Sequence, residues 1–323
     1  MGLRVLLMGT GEFALPAFEA VLNSQHEVVG LVTQPDRVGQ GHHHHPHPVK
    51  ELAQSRDVPV FQPDRVNTPE SLERLREFQA DLFLVAAYGQ ILSADLLAIP
   101  RFGAINLHGS LLPKYRGAAP VQYAVWKGEA ETGVTVFQIE PKLDAGPMLG
   151  VVKTPIGPKE TSGELHDRLA LLAAPLALQV LEQIETGTHV STLQYSGEVT
   201  KAPRIKKEEG LINWSLPADP LGWHIRAMQP WPMPFTFLHL PGKKPQRMLI
   251  LDLEPMPDMP SLATLPPGAI IVKENQLLVR NGAADAGSVV RVTMLQPSGK
   301  KPMSTEDYLR GAKLTDAHFG PES

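Results

Sequence analysis

Cysteine is missing from all 323 residues of this chain. That excludes disulfides, thiolate nucleophiles and cysteine-ligated zinc, and it suits a reducing compartment. Long apolar runs are missing too: none approaches the roughly 20 residues that span a bilayer, so no membrane partner is expected. At the N-terminus the apolar stretch Val5 to Met8 stops at Gly9, too short for a secretory signal. No excess of one charge advertises a polyanionic partner, because 30 Lys and Arg stand against 34 Asp and Glu, a formal net of −4. Any nucleic-acid contact must come from local patches. There is no internal repeat.

What is present is an ordinary globular composition, 42% hydrophobic and 20% charged, in a chain long enough for two cores. Over about the first 110 residues, apolar runs alternate with helical spacing, which predicts a doubly wound, mostly parallel α/β sheet. Strands are predicted at residues 3–8, 28–33, 58–61, 82–87 and 104–107, with helices at 15–22, 49–55 and after Thr68, an N-cap followed by Pro69. The run 82–87 has no polar alternation, as expected of a parallel strand covered on both faces. The turn Gly9-Thr10-Gly11-Glu12-Phe13-Ala14 has the spacing of a dinucleotide loop. Glycines that simply let a strand turn into a helix explain it better, and the acidic residue a nucleotide would want, Asp36, lies beyond Pro35 in a loop.

Further on, a helix at 121–127 precedes an alternating strand at 133–140. A capping box, Thr161 to Glu164, then opens a long helix with Leu165, Leu169, Leu172, Leu176 and Leu181 on its core stripe. Periodicity fades over 186–204, the expectation for a linker. Beyond it, one helix near 220–228 and short β-like runs at 236–240, 247–251, 270–273, 276–280 and 289–295 predict a small β-barrel of about 115 residues.

The segment 101–120, RFGAINLHGSLLPKYRGAAP, draws the chemistry together. Asn106 and His108 are two apart on a strand and so share a face, at the carboxyl end where open α/β sheets place their sites. Asp144 sits in a glycine-proline turn and is a candidate partner for the imidazole. The loop 34–50 carries His42, His43, His44, His45 and His47. A histidine run in a proline-glycine loop lacks the fixed spacing metal ligation requires, so no metal is expected.

These motifs resemble the methionyl-tRNA formyltransferase family. The residues that carry the likeness include Gln34-Pro35-Asp36-Arg37, Ala86-Ala87-Tyr88-Gly89, Asn106-Leu107-His108-Gly109-Ser110-Leu111-Leu112-Pro113, Tyr115-Arg116-Gly117-Ala118-Ala119-Pro120 and Leu143-Asp144-Ala145-Gly146. Later ones are Lys207-Glu208-Glu209, Asn213-Trp214-Ser215, Pro230-Trp231-Pro232-Met233 and the run from Leu295 to Met303. The resemblance implies a Rossmann-like formyltransferase domain at 1–187, a linker at 188–206, an OB-like tRNA-binding barrel at 207–313 and a tail at 314–323. It implies formyl transfer from 10-formyltetrahydrofolate, as co-substrate, to the α-amine of methionine on initiator tRNA. A same-fold formyltransferase for a nucleotide-sugar or purine-precursor amine is the alternative.

By the same resemblance Asn106, His108 and Asp144 are catalytic. Ser110, Leu111, Leu112 and Pro113 would contact folate, together with Ala87, Tyr88, Gly89, Gln90, Ile91 and Leu92. Arg37, His42, His43, His44, His45, Lys50 and Lys207 would contact tRNA. In the family the loop after Arg37 is basic; here histidines replace that basic middle, which predicts acceptor-stem binding that strengthens as pH falls. An imidazole is mostly neutral at pH 7, so Asp144 is expected to raise the pKa of His108 and let it stabilise an oxyanion beside Asn106. A monomer in a bacterial cytoplasm, with no transit peptide, completes the expectation.

Overall fold

The computed structural model describes residues 2–36, 47–283 and 287–322. Two compact units result, one of Met1–Val121, Glu131–Pro155 and Leu165–Pro203, the other of Gln122–Ala130, Ile156–Glu164 and Arg204–Ser323.

The first unit is built on a sheet of seven strands: β1 (Arg4–Gly9), β2 (Glu27–Val32), β3 (Val60–Phe61), β4 (Leu82–Ala86), β5 (Ala104–His108), β6 (Glu131–Gln138) and β7 (Met148–Pro155). Their order across the sheet is β3-β2-β1-β4-β5-β6-β7. Strands β1 to β5 pair in parallel, whereas β6 and β7 run antiparallel at one edge. The order reverses between β1 and β4, the switch point beside which such sheets place their ligands. All five residues of β4 are buried, as its unbroken apolar sequence requires. Its neighbour β7, by contrast, alternates between covered and exposed residues, which befits an edge strand.

Local chemistry sets the helix ends. The α-helices up to residue 186 are α1 (Leu15–Leu22), α2 (Pro48–Ser55), α3 (Pro69–Glu77), α4 (Ala94–Leu97), α5 (Pro120–Trp126) and α6 (Ser162–Thr186). In α3 the Thr68 side chain accepts from the Ser71 N–H, and Pro69 occupies the first turn where no hydrogen bond is lost. Thr161 and Glu164 form the reciprocal capping box that opens α6. By length and composition α6 is apolar enough to cross a membrane, which the residue pattern alone did not suggest. Leu165, Leu169, Ala173, Leu176, Val180 and Leu181 on it are nonetheless buried within the protein. Each fully buried Leu or Val of this kind contributes about 1.5–3 kcal/mol.

The second unit carries α7 (Ala218–Ala227) and seven antiparallel strands, β8 (Phe235–His239), β9 (Gln246–Met256), β10 (Ile270–Lys273), β11 (Gln276–Arg280), β12 (Val289–Pro297), β13 (Met303–Ser304) and β14 (His318–Gly320), with α8 (Thr305–Leu309) between the last two. The order β10-β11-β12-β9-β8-β14 nearly closes on itself, since Ala269, just before β10, bridges to His318 of β14. Alternate residues of β8 and β9 face inward, where Leu238, Met248, Ile250, Val279, Val290 and Val292 pack with Trp214 and Phe319. Glu274 and Asn275, both at positive φ, make the two-residue turn that joins β10 to β11 in tight register.

Candidate active site

Adjacent parallel strands deliver the site's components to one edge. Val85 of β4 lies opposite Asn106 of β5, and across β6 Asn106 meets Phe137 while His108 meets Thr135. The loops after β1, β4 and β5 therefore emerge side by side. At the end of β1, a Cβ on Gly9 would sit 2.6 Å from the Ala86 carbonyl oxygen and 2.7 Å from the Phe18 ring. The glycine is thus required by packing, and Asp36 is held by Lys50 and, at 2.9 Å, by the Gln62 amide.

Asn106 is half-buried, and its carboxamide makes no hydrogen bond to any described residue. Its two N–H donors are free for a substrate. His108, only 5% exposed, sits edge-on to Phe137 at 6.2 Å between ring centres. Its Nε2 donates to the Tyr115 carbonyl oxygen at 2.9 Å. A carbonyl only accepts, so Nε2 carries a hydrogen, and Nδ1 faces Asp144, whose Oδ2 is 3.9 Å away. Burial pushes the His108 pKa below its ordinary value, while Asp144 and the Tyr115 carbonyl pull it upward without offsetting the burial. The net direction is opposite to the one expected from the residues. At 3.9 Å the carboxylate makes no hydrogen bond to the ring, and the lost hydration of the imidazolium is the larger effect.

Asp144 is itself fixed from three sides. Its backbone adopts a left-handed φ of 46°, and its Oδ2 accepts from the Gly117 N–H at 2.8 Å. Gly117 has φ 126°, and a Cβ there would lie 2.5 Å from the Ala202 carbonyl oxygen. The third support is Gln194, whose Nε2 donates to the carbonyls of Asp144 and Gly146 at 2.9 and 2.8 Å. Its Oε1 in turn accepts from Arg116 Nε and Nη2 at 3.1 and 2.7 Å. The stretch around Gln194 is tied to the loop after β5 along its length. Tyr115 N–H donates to Thr200 Oγ1, Arg116 exchanges backbone hydrogen bonds with Thr200 and Ala202, and Ala119 N–H donates to Ala202. Gln194 and Thr200 were hidden in the sequence because 186–204 has no period to separate an inward residue from an outward one.

Ser110 to Pro113 form the wall beyond His108. Ser110 is fully buried and donates to the Lys114 carbonyl at 2.7 Å, so its hydroxyl hydrogen is already committed. Thr135 threads this loop to β6, donating to the Ser110 carbonyl at 2.7 Å and accepting from Leu112 N–H at 3.1 Å. Leu112 and Pro113 are buried, and Leu111 is half-buried. After β4, Ala87, Gly89 and Ile91 are exposed while Tyr88 and Leu92 turn inward. Burial raises the Tyr88 phenol pKa well above its ordinary value. The Tyr88 carbonyl accepts from Gln34 Nε2 and Thr10 Oγ1, and Gln90 Oε1 accepts from Val66 N–H, which holds this loop beside the end of β1.

The residues expected to meet tRNA are not brought to one described place. Arg37, His42, His43, His44 and His45 lie outside the described residues. Lys50 is engaged by Asp36. Lys207 is exposed on the second unit.

A free carboxamide, a buried neutral imidazole and a braced carboxylate at the end of a central strand can bind a carbonyl oxygen and move a proton. Residues 1–181 match the formyl transferase family and residues 204–313 match the formyl transferase C-terminal domain. The chain belongs to the formyl transferases. It is 40% identical over 319 residues to methionyl-tRNA formyltransferase of Methylococcus capsulatus, covering 98% of this chain and 100% of that one. Among solved structures, the N-formyltransferase from Helicobacter canadensis, complexed with folinic acid and dTDP-3-aminofucose, superposes with a TM-score of 0.65 at 16% identity, over 91% of this chain and 99% of that one. HypX from Aquifex aeolicus, complexed with tetrahydrofolic acid, superposes with a TM-score of 0.60 at 15% identity, over 96% of this chain and 47% of that one. These two likenesses show the fold.

Proposed function

We propose that the protein transfers a formyl group from 10-formyltetrahydrofolate to the α-amine of methionine on initiator tRNA. Asn106 and His108 of β5, with Asp144 from the turn between β6 and β7 facing the His108 ring, carry this reading, in a chain whose close relative has the same activity by name. The fold's wider family includes structures with folate derivatives bound, which supports the folate co-substrate.

The amine nitrogen attacks the formyl carbon, and the formyl oxygen becomes an oxyanion. Asn106 Nδ2–H donates to it, a contact whose loss typically costs about 10²–10³ in rate. The nitrogen must also shed a proton. Burial favours the neutral form of His108, whose Nδ1 faces Asp144, so the pair accepts that proton and the carboxylate stabilises the imidazolium that results. The imidazolium then stabilises the oxyanion. Collapse breaks the bond to the folate N10, which leaves carrying the proton. The transferred group and the proton both balance, with no covalent enzyme intermediate.

Folate lies, on this proposal, against Ser110, Leu111, Leu112 and Pro113 and the 87–92 loop, where the uncommitted partners are backbone groups and the exposed Ile91. The tRNA acceptor stem is met by Arg37, His42 to His45, Lys50 and Lys207. Residues 1–187 act as the catalytic domain and 207–313 as the tRNA-binding domain. A bacterial cytoplasm, where initiation uses formylated methionine, is the setting.

The test is to incubate the protein with 10-formyltetrahydrofolate and either charged initiator or charged elongator tRNA, and to follow formyl-methionine. Product on the initiator is expected. Formylation of a nucleotide-sugar amine with none on the initiator would replace this reading by the alternative.

A further inference from the structure

Gln194 turns inward to the Asp144 turn, and its two neighbours in the extended chain turn the opposite way. Leu193 is 82% exposed and Tyr195 70% exposed; across the same contact Leu143, next to Asp144, is 64% exposed. Three large apolar side chains thus stand in solvent around a hydrogen bond that braces the active site. An exposed aromatic ring ordinarily has rotamer freedom, but this one lies against the backbone: a Cβ on Gly197 would sit 2.8 Å from Tyr195 Cε1 and 3.0 Å from its Oη. Glycine at 197 leaves room for the ring against the chain, and most of the ring's surface stays open to solvent. The Tyr195 hydroxyl makes no hydrogen bond to a described residue.

We propose that Tyr195, with Leu193 beside it, is the platform on which the 3′-terminal nucleobase of the charged tRNA stacks. This rests on the function proposed above. The reacting amine belongs to an amino acid esterified to the terminal ribose, so only an ester and one sugar ring separate it from that base. With the amine at Asn106 and Asp144, the base has to lie against whatever borders the Asp144 turn. The segment bonded directly to that turn presents a flat π face and an aliphatic neighbour, the surface on which any base stacks irrespective of sequence. Gln194 joins the two functions, holding Asp144 with its amide while its backbone presents Tyr195.

The experiment measures KM for charged initiator tRNA and for 10-formyltetrahydrofolate in the parent, Tyr195→Ala and Tyr195→Phe. Each is repeated with charged tRNA lacking only the terminal base. Tyr195→Ala is expected to raise KM for intact tRNA about tenfold, with Tyr195→Phe within about twofold of the parent. kcat and the folate KM should stay at parental values. With the abasic-ended tRNA all three proteins should have the same raised KM. The proposal is overturned if Tyr195→Ala leaves KM for intact tRNA unchanged, if the variants still differ on the abasic-ended substrate, or if the substitution changes only self-association by sedimentation, which would make a second copy of this chain the occupant. A parent that formylates no charged tRNA would remove the functional reading itself, before any variant is compared.

Discussion

Replacing Gln194 by alanine should disable catalysis more than it destabilises the fold. The substitution deletes the donations to the carbonyls of Asp144 and Gly146, at 2.9 and 2.8 Å, and the acceptor that Arg116 meets at 3.1 and 2.7 Å. Each neutral hydrogen bond is worth about 0.5–1.5 kcal/mol net and the charge-assisted one somewhat more. Gln194 is only half-buried, so water replaces part of what is lost. The expected loss of stability is about 1–3 kcal/mol. The kinetic loss has a different origin. Asp144 sits at φ 46°, and without the two amide contacts the turn no longer holds its carboxylate opposite His108. A displacement of about 1 Å at a catalytic group costs about 10²-fold in rate. Single-turnover formyl transfer at saturating substrates, with urea unfolding on the same preparations, separates the two effects. Gln194→Glu is the instructive companion, since it keeps the acceptor for Arg116 but turns an oxygen toward two carbonyls, and it should be as slow as alanine. If Gln194→Ala unfolds more easily yet turns over at the parental rate with the parental pH profile, Gln194 is merely structural.

Two further outcomes are expected. Gly117→Ala should destabilise by about 1–3 kcal/mol from the backbone strain alone. It should also slow transfer, because the Cβ would meet the Ala202 carbonyl at 2.5 Å and the Gly117 N–H that holds Asp144 has to move; an alanine variant of parental stability would contradict this. Burial lowers the pKa values of His26, His108 and His224. Above the ordinary histidine pKa near ~6.5 neither state carries these protons, whereas below it the unfolded chain binds them first, so stability should decline as pH falls through that value. Protonating His26 also destroys the acceptor for the Leu3 N–H, at 3.1 Å. Urea midpoints across this range check the sign, and a midpoint that rises on acidification would refute it.

Much of the architecture was legible because burial writes itself into sequence. β10 and β11 fall where their apolar residues predict, and β4 announces itself by five apolar residues without a break. β7 escaped notice because an edge strand buries few of its residues, and α4 and α8 are too short to show a period. The extra length of β9 is a pairing with β12 that no local pattern records. At the site, two-residue alternation placed Asn106 and His108 on one face. Asp144 stood out as a candidate only beside those two, and the resemblance then assigned it a catalytic role. What lay beyond reach were contacts over long separations, such as Gln194 to Asp144, and the contest over His108. A nearby carboxylate and burial act in opposite directions, and only the depth of the ring decides between them.

The most direct measurement is the single-turnover rate of formyl-methionyl-tRNA formation by the parent and by Asp144→Asn, at saturating 10-formyltetrahydrofolate and charged initiator tRNA. Asparagine preserves the size of the side chain and its acceptor oxygen for the Gly117 N–H, while removing the charge that faces His108 Nδ1. A loss of about 10²-fold or more is expected, the range for a missing acid–base partner. An Asp144→Asn protein as fast as the parent would show that the proton is handled elsewhere and that the Asn106, His108 and Asp144 arrangement is not what performs the transfer.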